Sequence, residues 1–267
     1  MKRVYGFKKG IIDDRDFKFG IVHDFSLPEL AFLSNKAAIL NQLGTSSCTA
    51  HAIACTIDSQ LVKPYFPSRL FIYFNERDIE NVISEDSGAS IRDGIKSINK
   101  QGVCSESSWI FDPSQVFVRP SSNAYSEALN FKVSSYAGLE NNDANNLRSS
   151  IVSGHAIMFG FNVYESFEGR DLATTGVMKM PLKGERLLGG HAVACIGYKP
   201  GYFLIQNSWG VAWGDKGCFW MPEQFITSDE CSDFWTIDLP QVKESYAHLS
   251  VFSKFIVWIK NIYSKFA

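Results

Sequence analysis

A proline-glycine turn between two apolar runs, HAVACIGYKPGYFLIQNSWG from His191 to Gly210, limits the folds open to this chain more than any other stretch. Pro200-Gly201 has turn chemistry and its flanks are rich in strand formers, so the segment predicts an antiparallel hairpin. Pairing about that turn sets His191 and Asn207 opposite each other or one pair off, on the same face of the ribbon. The amide oxygen then accepts from one ring nitrogen and leaves the other turned toward a third group. The hairpin therefore has the form of a base and its orienter, and it calls for a nucleophile elsewhere.

The stretch NQLGTSSCTAHA, Asn41 to Ala52, offers one. Ile53, Ile57 and Leu61, with Ala50 and Ala54 beside them, have the spacing of a buried helix face, which predicts a helix over Thr49 to Val62 ended by Lys63-Pro64. Cys48 would stand at its N-terminus, where unpaired backbone N–H groups and the helix dipole favour a thiolate. Taken alone, a buried structural thiol explains Cys48 as well. His51 stands three residues further along the helix but has no orienter of its own, so His191 is the better base. His23, His155 and His248 lack such company and read as structural or surface residues.

A second helix is predicted over Ser90 to Lys100, with Ile91, Ile95 and Ile98 on one side and Gly102 as its stop. From about Phe131 the texture changes to short apolar runs such as AIMFGFNV, separated by Gly, Pro and Asn. GVMKMPLKGERLLGG reads as loop and short strand. A helix-rich first half and a β-rich second half predict an α+β protein of two lobes.

Composition excludes several function classes. The formal net charge is −2 with both signs spread along the chain, so nothing marks a nucleic-acid partner. Six cysteines, at 48, 55, 104, 195, 218 and 231, show neither a CxxC pair nor a zinc-ligand grouping, so no metal or cofactor is expected and free thiols in a reducing compartment are the simpler reading. The N-terminus lacks a secretory h-region and no window has the 18 or more apolar residues of a spanning helix. An intracellular, cytoplasmic location is expected, within a virion or infected cell for a viral protein.

Together these residues resemble the papain-like cysteine peptidases, whose His and Asn follow the nucleophile by about 130–150 residues, close to where His191 and Asn207 stand. The string NSWGVAWGDKG, Asn207 to Gly217, is the most specific match. The resemblance spans roughly 24–238 and implies a helical lobe and a β-rich, barrel-like lobe with the cleft between them. It implies Cys48 as nucleophile, His191 as base and acid, Asn207 as orienter, and Gln42 with the Cys48 N–H as oxyanion hole. Trp209 would shield the His191–Asn207 bond, Trp213 would form an exposed cleft wall, and Gly88 would bind an extended peptide backbone. Gly88, Ala89, Ala192 and Phe159 would line the pocket for the second residue upstream of the cut, which would take an apolar side chain.

Thr45 and Thr49 stand where the papain and cathepsin signature has a Cys and an aromatic, so the chain resembles the bridge-free, compact forms of bacteria and large DNA viruses. The implied activity is cysteine endopeptidase on a polypeptide substrate. A Cys-His amidase or acyl transferase, and a catalytically silent peptide-binding module, are the alternatives. Three segments are expected: an extension over 1–20, the peptidase domain over 21–240 and an amphipathic helix over 246–267. The extension is shorter than the family's usual propeptide, and its IIDDRDF stretch either packs on the domain or enters the cleft. The tail sets Leu249, Phe252, Phe255, Ile256, Ile259 and Phe266 against Lys254, Lys260 and Lys265, a pattern that fits packing on its own domain or docking on a membrane surface or protein partner.

Overall fold

The computed structural model describes residues 3–11, 13, 16–20, 26–35, 37–61 and 65–239, so His23, Lys63-Pro64, His248 and the amphipathic tail lie outside the described residues. The helical half opens with α1, Cys48–Gln60, and continues with α2, Arg69–Ile79, α3, Ile91–Lys100, and the short α4, Ser122–Ala128. Ser90 caps α3 by accepting from the Asp93 N–H, and Gly102, at φ +83°, ends the turn beyond it. The expected second helix thus forms one residue later than its pattern suggests, because Ser90 serves as cap. α2 escapes the pattern because Leu70 to Phe74 form an unbroken apolar run, all buried, with no polar face to mark a helical period.

The β-rich half contributes β2, Ser135–Gly138, β3, Ile157–Tyr164, β4, Leu187–Lys199, β5, Tyr202–Gln206, β6, Cys218–Pro222, and β7, Cys231–Asp238. They form one antiparallel sheet in the order β2-β7-β3-β4-β5-β6, and β1, Ala31–Phe32, adds to β4. The Pro200-Gly201 hairpin forms as β4–β5, and its register shifts between Cys195 and Gly197. That shift places His191 diagonal to Asn207 on the same face.

α1 joins the two halves. All thirteen of its residues are buried, polar ones included, because the helix lies between the helical core and the sheet. Most of those polar side chains are satisfied. Thr49 donates to Glu76 at 2.6 Å, Asp58 accepts from the Ala38 N–H at 3.0 Å, and Gln60 both donates to the Ile237 carbonyl and accepts from the Ala156 N–H at 2.9 Å. Burial pushes the Glu76 carboxyl well above its ordinary pKa beneath the nucleophile helix.

Arg77 is fully buried at the end of α2 and donates to the carbonyls of Tyr73 at 3.1 Å, Glu85 at 2.8 Å and Val116 at 2.5 Å, so one side chain holds the helix to the loops on either side. Arg77→Met keeps the volume but strands those carbonyls. It should cost at least about 3 kcal/mol, read as a lower urea midpoint with unchanged slope.

Candidate active site

Loop and strand chemistry places each reactive group. Asn207 Oδ1 bonds His191 Nε2 at 2.8 Å and also accepts from the Ser208 N–H at 2.8 Å, which locks the amide with its oxygen toward the ring. His191 Nε2 is therefore the protonated nitrogen, and Nδ1 is left buried with no hydrogen-bond partner. Trp209 stacks on the imidazole, centroids 5.1 Å apart at 28°, and keeps water from that bond. Cys48 begins α1, and backbone N–H groups of Ala192, Gly6 and Thr49 point at its sulfur. Ala192 directly follows His191, so Cys48 at the start of α1 lies against the same stretch of β4 that carries the base.

Gln42 is buried and held from both ends: its Oε1 accepts from Ser208 Oγ at 2.7 Å and its Nε2 donates to the Thr45 carbonyl at 2.8 Å. Asp86 accepts from the Ser46 N–H at 3.0 Å and from the Tyr73 hydroxyl at 2.5 Å, and that hydroxyl accepts from the Gly88 N–H at 3.1 Å. This chain ties the loop before Cys48 to α2 and to the Gly88-Ala89 segment of the same helical half. Neither Asp86 nor Tyr73 carries a pattern that marks it in the sequence.

The cleft is filled by the chain's own N-terminal extension. The Phe7 N–H donates to the Gly190 carbonyl at 3.1 Å, the Lys8 N–H to the Ala89 carbonyl at 3.0 Å, and the Ala89 N–H to the Gly6 carbonyl at 2.9 Å. Gln42 Nε2 also donates to the Val4 carbonyl at 3.3 Å, so its second hydrogen is engaged as well. Of the two placements open for the IIDDRDF stretch, its described residues Asp13 and Asp16 take the one on the domain, pairing with Arg92 on α3 at 2.8 and 2.7 Å, and it is the preceding Val4 to Lys8 that take the cleft. Lys18 then bridges to Gly138 on β2. The extension is thus a strap across both lobes.

Several expected lining residues stand elsewhere. Ala89, not Gly88, makes the backbone pair; Gly88, at φ +74°, supplies room, because a Cβ there would lie 1.8 Å from the Gly6 carbonyl. Phe159 is no part of the pocket. Strand alternation turns it to the far face, stacked on Phe234 at 4.7 Å, and its neighbour Gly160 faces the Phe7 ring. Trp213 is not an exposed wall but is 5% exposed, packed edge-on behind Trp209 at 4.9 Å. Ala192 stays at the cleft, with its N–H on Cys48. His51 forms no dyad with Cys48: its Nδ1 bonds the Ser47 carbonyl at 2.8 Å, and burial beside Arg69 pulls its pKa down to about 3. His155 pairs with Asp238 at 3.0 Å, remote from the cleft.

Burial separates the two titrating groups. It pushes the Cys48 thiol up to about 11, against the help of the three N–H groups, and pulls the His191 imidazole down to about 4.

A family model described as papain family cysteine protease matches residues 72–232. An uncharacterized peptidase C1-like protein of Acanthamoeba polyphaga mimivirus is 40% identical over 80% of this chain and 73% of its own length. The crystal structure of Xylellain, a cysteine protease from Xylella fastidiosa, superposes with a TM-score of 0.82 at 36% identity, covering 88% of this chain and 96% of that one. Procathepsin L 3 of Tenebrio molitor larval midgut, at 16% identity over 84% of this chain and 75% of its own, shares the fold with a TM-score of 0.67.

A Cβ on Gly6 would lie 1.9 Å from the Ser46 carbonyl, a backbone atom that cannot yield cheaply. Gly6→Val should therefore weaken strap seating by about 1–3 kcal/mol. Iodoacetamide should alkylate Cys48 roughly 5- to 150-fold faster in the full-length variant than in the parent at neutral pH, with the parent's rate still climbing toward pH 11. Equal rates would mean that the strap does not govern access to the thiol.

Proposed function

The chain belongs to the papain family of cysteine proteases and is a cysteine endopeptidase, and from that premise we propose that Cys48, His191, Asn207 and Gln42 carry its chemistry and that the N-terminal strap holds it latent. The observation that carries the site is the buried 2.8 Å bond from His191 to Asn207, with Cys48 taking the N–H of the residue after His191. His191 Nδ1 takes the thiol proton, and the thiolate attacks the substrate carbonyl carbon. The developing oxyanion lies between Gln42 Nε2 and the Cys48 N–H. His191 returns its proton to the leaving amine, and water then hydrolyses the thioester with the same ring as base.

Strap direction explains latency. The leaving amine of a substrate must reach His191 under Trp209, so its leaving half lies on the Trp209 side and its acyl half on the Ala89 side. Arg3 lies on Trp209 and Lys8 on Ala89, which makes the strap run the opposite way. It therefore presents the Gly6 N–H to the sulfur rather than a carbonyl carbon. No acyl-enzyme can form from that arrangement.

The same strap reports the upstream pocket. The Phe7 ring rests on Gly160, where a Cβ would lie 2.0 Å from it, and on the backbone of Gly190. A substrate with an aromatic side chain two residues before the cut fits this floor.

On the Gly6→Val background, a library of internally quenched peptides should be cut at internal bonds, and Cys48→Ala should abolish cleavage. Gln42→Ala should lower kcat by about 10²- to 10³-fold with little change in KM. Gly160→Val should reduce kcat/KM for phenylalanine peptides by about 10- to 200-fold relative to alanine ones. Cleavage that survives Cys48→Ala would remove the thiol mechanism.

A further inference from the structure

The leaving side of the cleft carries a second piece of recognition chemistry. The Arg3 guanidinium lies flat over the Trp209 ring, 3.6 Å from its centroid. Burial lowers the pKa of that guanidinium, and Tyr5 and Glu168 oppose the loss. Glu168 closes the 3-10 turn Glu165–Glu168 and accepts a hydrogen bond from the Tyr5 hydroxyl. The turn is rigidly seated, because Phe167 is buried with its ring 5.3 Å from Trp209 and 5.6 Å from Trp213. Glu165, at the other end of the turn, is engaged by Arg186. Glu168 itself is exposed and makes its hydrogen bond to the strap, so strap removal returns a carboxylate to the cleft edge beside a bare indole face.

An aromatic face with a carboxylate next to it is complementary to a cation. The strap's Arg3 shows that a guanidinium reaches this place by a peptide lying in the cleft. Backbone polarity does not matter here, since side chains of a reversed strand reach the same surfaces. We infer that Trp209 and Glu168 form a leaving-side subsite that selects polypeptides with arginine or lysine within the first three residues after the cut, with Glu168 as the specificity-determining residue. This rests on the peptidase reading above. Arginine outranks lysine in the subsite, because a planar guanidinium stacks on indole while an ammonium does not.

The test uses full-length Gly6→Val enzyme and quenched peptides with phenylalanine two residues before the cut. The peptides differ only in arginine, lysine, alanine or glutamate at each of the first three positions after it. At one of those positions arginine should exceed alanine roughly 5- to 30-fold in kcat/KM, and glutamate should fall below alanine. Glu168→Gln should erase most of the arginine preference and Glu168→Lys should turn it toward glutamate, each preference read as the ratio of kcat/KM to that of the alanine peptide within the same variant, so that any change in strap seating caused by losing the Tyr5 hydrogen bond cancels, and the melting temperatures should agree. Equal cleavage of all four peptides, or a preference untouched by Glu168→Lys, would overturn the subsite and leave the peptidase intact. No cleavage of any peptide, with Cys48 unreactive toward E-64, would overturn the peptidase reading and the subsite with it.

Discussion

The burial of one helix on every side is the constraint from which the rest of the structure follows. α1 carries Cys48 at its start and has no solvent face, so each polar side chain along it needs a partner in one lobe or the other. Thr49 finds Glu76 on α2, and Gln60 finds backbone of β7 and of the residue before β3. These bonds fix the helix relative to both lobes at once. The sulfur at its N-terminus is placed by bonds distributed along the whole helix rather than by local contacts of Cys48.

The same burial makes the site sensitive to what lies over it. Desolvation raises a thiol and lowers an imidazole, so burial moves the two groups away from the thiolate-imidazolium state that acyl transfer needs. The strap's own groups act on the two in different ways: the Gly6 N–H opposes the rise at Cys48, and the Arg3 charge adds to the fall at His191. The strap holds on through backbone bonds at Gly190 and Ala89, through paired carboxylates on Arg92, and through Arg3 on Trp209. Three separate anchorages spread along about fifteen residues hold this segment across the cleft.

The chemistry was legible in the sequence where local rules act. The Pro200-Gly201 turn brings His191 to Asn207 across a few residues of ladder, and the helix start at Cys48 follows from a period in the apolar residues. Lining residues were harder, because pocket membership depends on strand phase. Phe159 and Gly160 differ by one position on β3, and one residue of phase sends the ring into the core and leaves the glycine at the cleft. For Trp213 the sequence leaves both a cleft wall and a core aromatic open, and the loop folds it behind the Trp209 ring, where Phe167 and Phe219 enclose it. Asp86, Tyr73 and Glu168 had no signature at all, since each acts through a contact made by a distant part of the chain.

The sequence by itself determined the His191–Asn207 pairing, the helix start at Cys48 and the two-lobe α+β plan, because turn chemistry and apolar periodicity act through neighbours along the chain, while the joining of Cys48 to that distant pair was implied by the resemblance to the family. Only the tertiary structure decided what occupies the cleft. Val4 to Lys8 carry no periodic or motif signal, and their extended form exists because Gly88, Gly160 and Gly190 leave space for a backbone there and Ala89 offers it hydrogen bonds. Those partners lie scores of residues away, and nothing but the folded arrangement brings them together.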